Sequence, residues 1–400
     1  MKSTVLGRKP TLLRITTSRT SLSVLLDGQL PYMRDHGFRV VSVAGDDRMA
    51  PGQTFSWPHF EAPLTRRMTP WQDVRAIIQL ITLMRQLRPD IVHTHTPKAG
   101  LLGMLAARFT GVPIRIHTLG GLPLVTARGS RRVLLWLAEK VTGYAAQHIW
   151  ANGPTLLDDV RRMGLYPKNK LEMVADGSSN GIDLRYFSSL SVSDHRISAA
   201  RKAFSYSPAA SYLLYVGRLV HDKGIDELVS SFAQLVKKRP QLKLLLIGPL
   251  EEERDEEKLL PTTRRIIESN PAIVHLHWTD DVPAFMYAAD LLVFPSHREG
   301  FPNVLLQAGA MELPIVCSDV PGNIDIVDHR STGLVFPARN GPALLDAIEN
   351  ALTHPEQMKR MAVKLRQIIE NKFDRNHIHA ELLRRYRSLL FKADSCSTLS

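Results

Sequence analysis

Tyr212-Leu213-Leu214-Tyr215-Val216-Gly217-Arg218-Leu219, followed closely by Lys223-Gly224, opens on a β-rich run and breaks at a glycine turn. A strand, a turn and then a helix-length amphipathic stretch is the repeating unit of a parallel sheet covered by helices on both faces. The rhythm continues downstream, with strands predicted at Lys243 to Ile247, Ile273 to His277, Leu291 to Pro295, Ile315 to Ser318 and Gly333 to Val335. Upstream it predicts strands at Thr11 to Thr17, Arg39 to Ala44, Asp90 to Thr94, Ile114 to Thr118, His148 to Ala151 and Leu171 to Val174. Helices fill the gaps. Trp71 to Leu87 is stopped by Pro89, and Pro154 to Met163 starts on a proline and ends before Gly164.

Two such series in 400 residues predict two Rossmann-like, doubly wound α/β domains facing across a cleft. The Ser-rich stretch Gly177 to Ser211 reads as the linker. The expected parts are a first domain over 1–190, a second over 205–373, and a terminal segment over 374–400. Within the last, Asp374 to Phe391 reads as an amphipathic helix returning to the first domain, followed by a polar tail. Strand ends of open α/β sheets are where ligands of such folds bind.

Composition narrows the function. The two cysteines, Cys317 and Cys396, can build neither a disulfide framework nor a thiolate metal cluster, and a reducing compartment fits. No apolar run is long enough to span a bilayer, and Met1 to Pro10 lacks the apolar core of a signal peptide, so a cytoplasmic protein is expected. Of the net charge of +12, residues 1–195 carry +11 and residues 196–400 carry +1. That asymmetry implies an anionic partner for the first half, phosphate-bearing or a membrane surface. No interleaved aromatic and basic motif supports nucleic acid as that partner. Signatures of dinucleotide binding, P-loop NTPases and zinc sites are missing, as is the D-x-D pair that holds a divalent metal against a diphosphate. No cofactor and no metal are expected. A bound diphosphate must then be neutralised by protein cations and helix ends.

Gly217 permits close backbone approach, Arg218 offers forked hydrogen bonds to phosphate oxygens, and Lys223 adds a compact charge near the next helix start. A solvated loop explains the same residues equally well. In Pro295-Ser296-His297-Arg298-Glu299-Gly300-Phe301-Pro302-Asn303-Val304-Leu305-Leu306-Gln307-Ala308-Gly309-Ala310, a strand ends in a polar turn and Pro302 opens a helix. The helix's free amides point back into the turn, an electropositive end that receives anions. Glu299 sits beside that end and Gln307 about two turns on. A glutamate there also serves as a plain electrostatic cap.

Together these segments, with Leu313-Pro314 to Gly322 and Thr332-Gly333-Leu334, resemble the retaining nucleotide-sugar glycosyltransferases of the large family 4, which have the GT-B fold. The likeness extends to Val92-His93-Thr94-His95-Thr96-Pro97-Lys98-Ala99-Gly100, to Arg115-Ile116-His117-Thr118-Leu119-Gly120-Gly121 and to Ser178-Ser179-Asn180-Gly181-Ile182-Asp183. Those stretches are similar to the branch that builds capsule, O-antigen and glycan repeat units on polyprenyl-diphosphate carriers. The resemblance implies a donor diphosphate held without metal by Arg218 and Lys223 beside Gly217, assisted by the backbone amides around the turn Gly300, Phe301, Pro302 and Asn303, of which Pro302 itself has no N–H to give. It makes Glu299 the first acid of the family's E-x7-E pattern, contacting the transferred sugar, and His117 a donor-sugar pocket residue that supports the transition state. The donor's base would lie near Trp278. Gln307 stands where most members have the second glutamate, and an amide offers one acceptor oxygen to the ribose where a carboxylate offers two.

The implied reaction moves a hexose or N-acetylhexosamine from a nucleotide-sugar, with UDP favoured, to a lipid-linked saccharide. Candidate acceptor contacts are Arg19, in a Ser/Thr-rich loop that also reads as a helix cap, and Lys98, at a helix start. Arg128, Arg131 and Arg132, ahead of the apolar Val133 to Val141, suggest a helix lying on the anionic inner face of the cytoplasmic membrane. A buried core helix with a basic first turn has the same letters. His93 and His95 share a strand face, and without a third ligand they read as structural. A nucleotide-sugar epimerase of the same fold and a non-catalytic sugar-nucleotide-binding subunit are the alternatives.

Overall fold

The computed structural model describes residues 8–46, 55–65, 69–251 and 257–397. Two compact units partition the chain: Met1–Asn180 with Asn376–Ser400, and Gly181–Arg375.

The first unit runs β1 (Thr11–Ile15), α1 (Arg19–Leu25), α2 (Gln29–Asp35), β2 (Arg39–Ala44), β3 (His59–Glu61), α3 (Pro70–Leu87), β4 (Ile91–His95), α4 (Pro97–Phe109), β5 (Ile114–Leu119), α5 (Gly129–Ala145), β6 (His148–Ala151), α6 (Pro154–Arg162) and β7 (Leu171–Met173). Its seven strands are all parallel, in the order β3-β2-β1-β4-β5-β6-β7. β3 is absent from the sequence prediction. Three residues long and at the sheet edge, among the described residues it pairs with β2 alone, and it shows no run of apolar letters.

Strand pairing sorts the side chains onto two faces. Leu13, Val41 and Val92 share the face covered by α3 and α4, while Leu12, Val40 and Ile91 share the other. That second face also receives Ile378, Leu382, Leu383 and Tyr386. These come from the last helix, α14 in chain order (Arg375–Ser397). Burying each such large apolar side chain contributes about 1.5–3 kcal/mol.

The second unit runs α7 (Asp194–Ala203), β8 (Ser211–Val216), α8 (Ile225–Lys238), β9 (Leu242–Ile247), α9 (Pro261–Ser269), β10 (Ile273–Leu276), α10 (Val282–Ala288), β11 (Leu291–Phe294), α11 (Asn303–Ala310), β12 (Ile315–Ser318), β13 (Leu334–Phe336), α12 (Gly341–Thr353) and α13 (Pro355–Lys372). Its parallel sheet has the order β10-β9-β8-β11-β12-β13. Both sheets therefore reverse direction of winding at one strand gap, β1/β4 in the first and β8/β11 in the second.

The stretch read as a linker is mostly part of the second unit. Ser193 caps α7 by accepting from the Arg196 amide, and Ile197, Ala200 and Phe204 join the core. Arg196 clamps Asp281 through two hydrogen bonds, of 2.8 and 2.5 Å. Serine abundance marked capping here. The passage between units lies between Asn180 and Gly181, ten residues before the expected end of the first domain.

Candidate active site

β8 and β11 are neighbours in the second sheet, so the loops leaving their carboxyl ends lie side by side. Gly224, at φ +69°, brings them together. A Cβ on it would fall 2.0 Å from the Pro295 carbonyl oxygen, so no other residue permits this approach. Cross-links then fix the two loops. The His297 amide donates to the Asp222 carbonyl at 2.9 Å, His297 Nε2 meets Glu227 Oε1 at 2.8 Å, and Arg298 reaches Asp222 at 3.2 Å.

The consequence is that Lys223, from one loop, pairs directly with Glu299, from the other. Lys223 Nζ also sits 5.7 Å from the centroid of the Phe294 ring. Arg218, one residue beyond Gly217, donates through Nη1 to Glu257 at 2.8 Å and to Glu251 at 3.4 Å. Arg218, Lys223 and Glu299 thus gather at the ends of adjacent strands.

The remaining residues of this group are placed in different ways. Pro302 is the N-cap of α11, and the helix proper begins at Asn303. Phe301 is turned into the core, with its ring 5.3 Å from Phe373, which leaves its backbone as the part available to a ligand. Gly300 is pinned by Gly322, whose hypothetical Cβ would come 2.4 Å from the Gly300 carbonyl oxygen. Gln307 lies half-buried on α11. Trp278 follows β10, two strands from β8, and is 59% exposed, its Nε1 bonded to Asp280 at 2.9 Å.

In the first unit, His117 is buried on β5 with Nδ1 2.8 Å from Thr94 Oγ1. Burial lowers its pKa to about 4, so the ring is neutral at pH 7. Gly100 of α4 makes its room, since a Cβ there would lie 2.4 Å from His117 Cε1.

His93 and His95 occupy the opposite face. Arg14, wholly buried, donates to Tyr386 Oη at 2.6 Å and reaches His95 Nε2. Tyr386 Oη is 2.6 Å from His93 Nδ1, and His93 Nε2 is 2.6 Å from Thr118 Oγ1. Because a guanidinium only donates, Tyr386 Oη accepts from Arg14, and the same oxygen shares a hydrogen bond with His93 Nδ1. Burial and the Arg14 charge hold both imidazoles well below their usual pKa. This network ties α14 to the sheet. Among the described residues no group of three or more His, Cys, Asp and Glu is arranged to hold a metal ion.

The basic candidates of this unit divide. Lys98 bonds Asp73 of α3 at 2.7 Å, with Thr65 and Thr69 at 3.4 and 3.3 Å. Arg19 pairs with Glu61 of β3 at 3.0 Å, while Ser18 caps α1. Arg128 is the N-cap of α5, and Arg131 and Arg132 stand exposed on its first turn. Beside them Val133 (59%), Leu134, Trp136 (41%) and Leu137 are exposed as well, so this half of α5 is not a core helix. Glu251, Glu257, Glu227, Arg14 and Tyr386 are missing from the sequence-derived site. The acidic run Glu251-Glu252-Glu253-Arg254-Asp255-Glu256-Glu257 was the visible signal for the first two.

A family model described as glycosyl transferases group 1 matches residues 200–367, and one described as a glycosyl transferase 4-like domain matches residues 28–177. The chain is 32% identical over 92% of its length to the capsular polysaccharide biosynthesis glycosyltransferase CapM of Staphylococcus aureus, and covers 95% of that protein. It belongs to the family 4 glycosyltransferases.

This glycosyltransferase is also 24% identical to the UDP-Gal:alpha-D-GlcNAc-diphosphoundecaprenol alpha-1,3-galactosyltransferase of Escherichia coli, over 79% of each chain. Sucrose-phosphate synthase from Thermosynechococcus elongatus shares its fold with a TM-score of 0.81 at 20% identity, covering 96% of this chain and all of that one. The fold is GT-B. The group 1 match spans β8 to α11, the segment that carries the Arg218, Lys223 and Glu299 cluster.

Proposed function

We propose that this glycosyltransferase moves a hexose or N-acetylhexosamine from a UDP-sugar, with retention and without a metal ion, to a polyprenyl-diphosphate-linked saccharide in surface polysaccharide assembly. The observation that carries the reading is the meeting of Arg218, Lys223 and Glu299 at the ends of β8 and β11. Lys223 exchanges Glu299 for the donor diphosphate. Glu299, released, accepts hydrogen bonds from the sugar and faces the positive character that grows at the anomeric carbon. As the glycosidic bond stretches, charge accumulates on the leaving UDP. Fixed cations and the first amides of α11 stabilise it there, and one comparable donor is worth ~3 to 4 kcal/mol. His117, neutral at pH 7, contributes a hydrogen bond and shape but no charge. Gln307 takes the ribose, and Trp278 lies on the side of the base.

The acceptor reading rests on the first unit. An exposed apolar strip beside Arg131 and Arg132 suits an anionic membrane surface. No helix among the described residues is long and apolar enough to cross the membrane. The Escherichia coli relative is named for a UDP-galactose donor and a diphosphoundecaprenol-linked acceptor, which supports these two substrate classes. Lys98 and Arg19 meet an acceptor diphosphate only by leaving Asp73 and Glu61.

The test is a panel of UDP-sugars offered with and without a short prenyl-diphosphate N-acetylglucosamine, in EDTA. Expected are UDP release that needs acceptor, and a product whose new linkage keeps the donor's anomeric configuration. Isomerised donor without acceptor would make the protein an epimerase, and binding without turnover would make it a binding subunit.

A further inference from the structure

Arg218 is already matched in charge before any ligand arrives. Its Nη1 faces Glu257 at 2.8 Å and Glu251 at 3.4 Å, and those carboxylate side chains are only 14% and 15% exposed. Lys223 in turn carries Glu299. Each of the two cations at the place proposed to receive a diphosphate thus already faces carboxylate: Arg218 faces Glu251 and Glu257, and Lys223 faces Glu299.

The glutamates are held there by the fold. Leu219 and Leu250 form a parallel bridge that extends the β8–β9 pairing, and the Glu251 amide donates to the Leu219 carbonyl at 3.4 Å. On the far side of the acidic run, the Leu260 amide donates to Asp226 Oδ1 at 3.0 Å, and Leu259 is buried. Both ends of the run are therefore anchored, and both carboxylates converge on one guanidinium nitrogen.

We propose that Glu251 and Glu257 set donor affinity by acting as internal counter-ions that compete with the donor diphosphate for Arg218. This rests on the reading that Arg218 binds that diphosphate. Two effects oppose each other when the carboxylates are neutralised. Arg218 loses an orienting partner, which for a partly exposed pair is a small effect. The incoming phosphates lose the repulsion of two largely covered carboxylates lying across the same guanidinium, which is the larger effect. The balance favours tighter binding. The competition also gives the product a route out: as UDP leaves, the glutamates recapture Arg218.

Calorimetric titration with UDP of Glu251→Gln/Glu257→Gln, Glu251→Ala/Glu257→Ala, Glu257→Asp and Arg218→Ala tests this, with thermal melts to confirm folding. The neutral double variants are expected to bind UDP about tenfold more tightly than wild type, with a lower donor KM and no gain in kcat. Glu257→Asp, which keeps the charge, is expected within about twofold of wild type. Arg218→Ala is expected to weaken UDP binding. If Arg218→Ala weakens binding while both neutral double variants bind no tighter than wild type, the counter-ion role is wrong and the donor reading survives. If Arg218→Ala binds UDP as wild type does, the donor reading fails and takes this inference with it.

Discussion

A missing side chain at position 100 is what lets His117 occupy its place on β5. Any Cβ there would stand 2.4 Å from Cε1, and the ring, buried and bonded to Thr94, has nowhere to retreat without leaving its strand face. Gly100→Ala is therefore expected to displace the imidazole. Overpacking of this kind costs about 1–3 kcal/mol of stability. The expected kinetic result is a fall of about tenfold or more in kcat, with UDP affinity within about twofold, because UDP lacks the sugar that His117 is proposed to meet. Steady-state kinetics and UDP titration on the same preparation measure both. Residues of this kind were partly legible in sequence. The glycine beside Arg218 and the helix after Glu299 marked, through local order alone, two loops that the structure brings side by side. Lys98 and Arg19 did not reveal their partners, Asp73 and Glu61, which come from other elements of the first unit and are brought near only by the sheet and its covering helices. The same blindness hid that Glu251 and Glu257 meet Arg218, since the fold alone brings them to it.

At the scale of elements, α5 is two helices in one. Its second half is embedded: Thr142, Gly143 and Ala145 are buried, and Glu139 is hydrogen-bonded by Tyr166, its pKa pushed up to about 7 by desolvation. Its first half presents Val133, Leu134, Trp136 and Leu137 to solvent beside Arg131 and Arg132. The letters alone could not separate a core helix from a surface one, since both have apolar positions at helical spacing and only packing tells which are covered. The exposure makes a surface role concrete. Flotation with vesicles containing anionic lipid is expected to carry the protein at low salt and to release it at high salt. Trp136→Ser/Leu137→Ser is expected to reduce flotation severalfold while leaving UDP affinity unchanged. Equal flotation of that variant would remove α5 from the membrane contact. Strands were the most legible elements, because parallel strands buried on both faces read as continuous apolar runs. β3 escaped for lack of such a run.

Across the whole molecule, the sequence yields two parallel sheets with the same winding, and the structure has them, reversing at β1/β4 and β8/β11. The point of passage between units was less legible. Residues 181–204 look like a polar tether, yet their few apolar residues complete the second core, and the passage falls at Asn180. The chain passes back after Arg375, directly beside the first passage. Ile182 donates to the Phe373 carbonyl at 2.8 Å and accepts from the Arg375 amide at 3.0 Å. The proposed function divides the labour along the uneven net charge, assigning an anionic acceptor and surface to residues 1–195, at +11, and the donor to Arg218 and Lys223 in the nearly neutral remainder. UDP titration in EDTA of wild type, Arg218→Ala and Lys223→Ala tests that assignment most directly. The account predicts that wild type binds as well in EDTA as in magnesium, and that each variant loses tenfold or more in affinity. Undiminished binding by both variants, or loss of wild-type binding in EDTA, would contradict it.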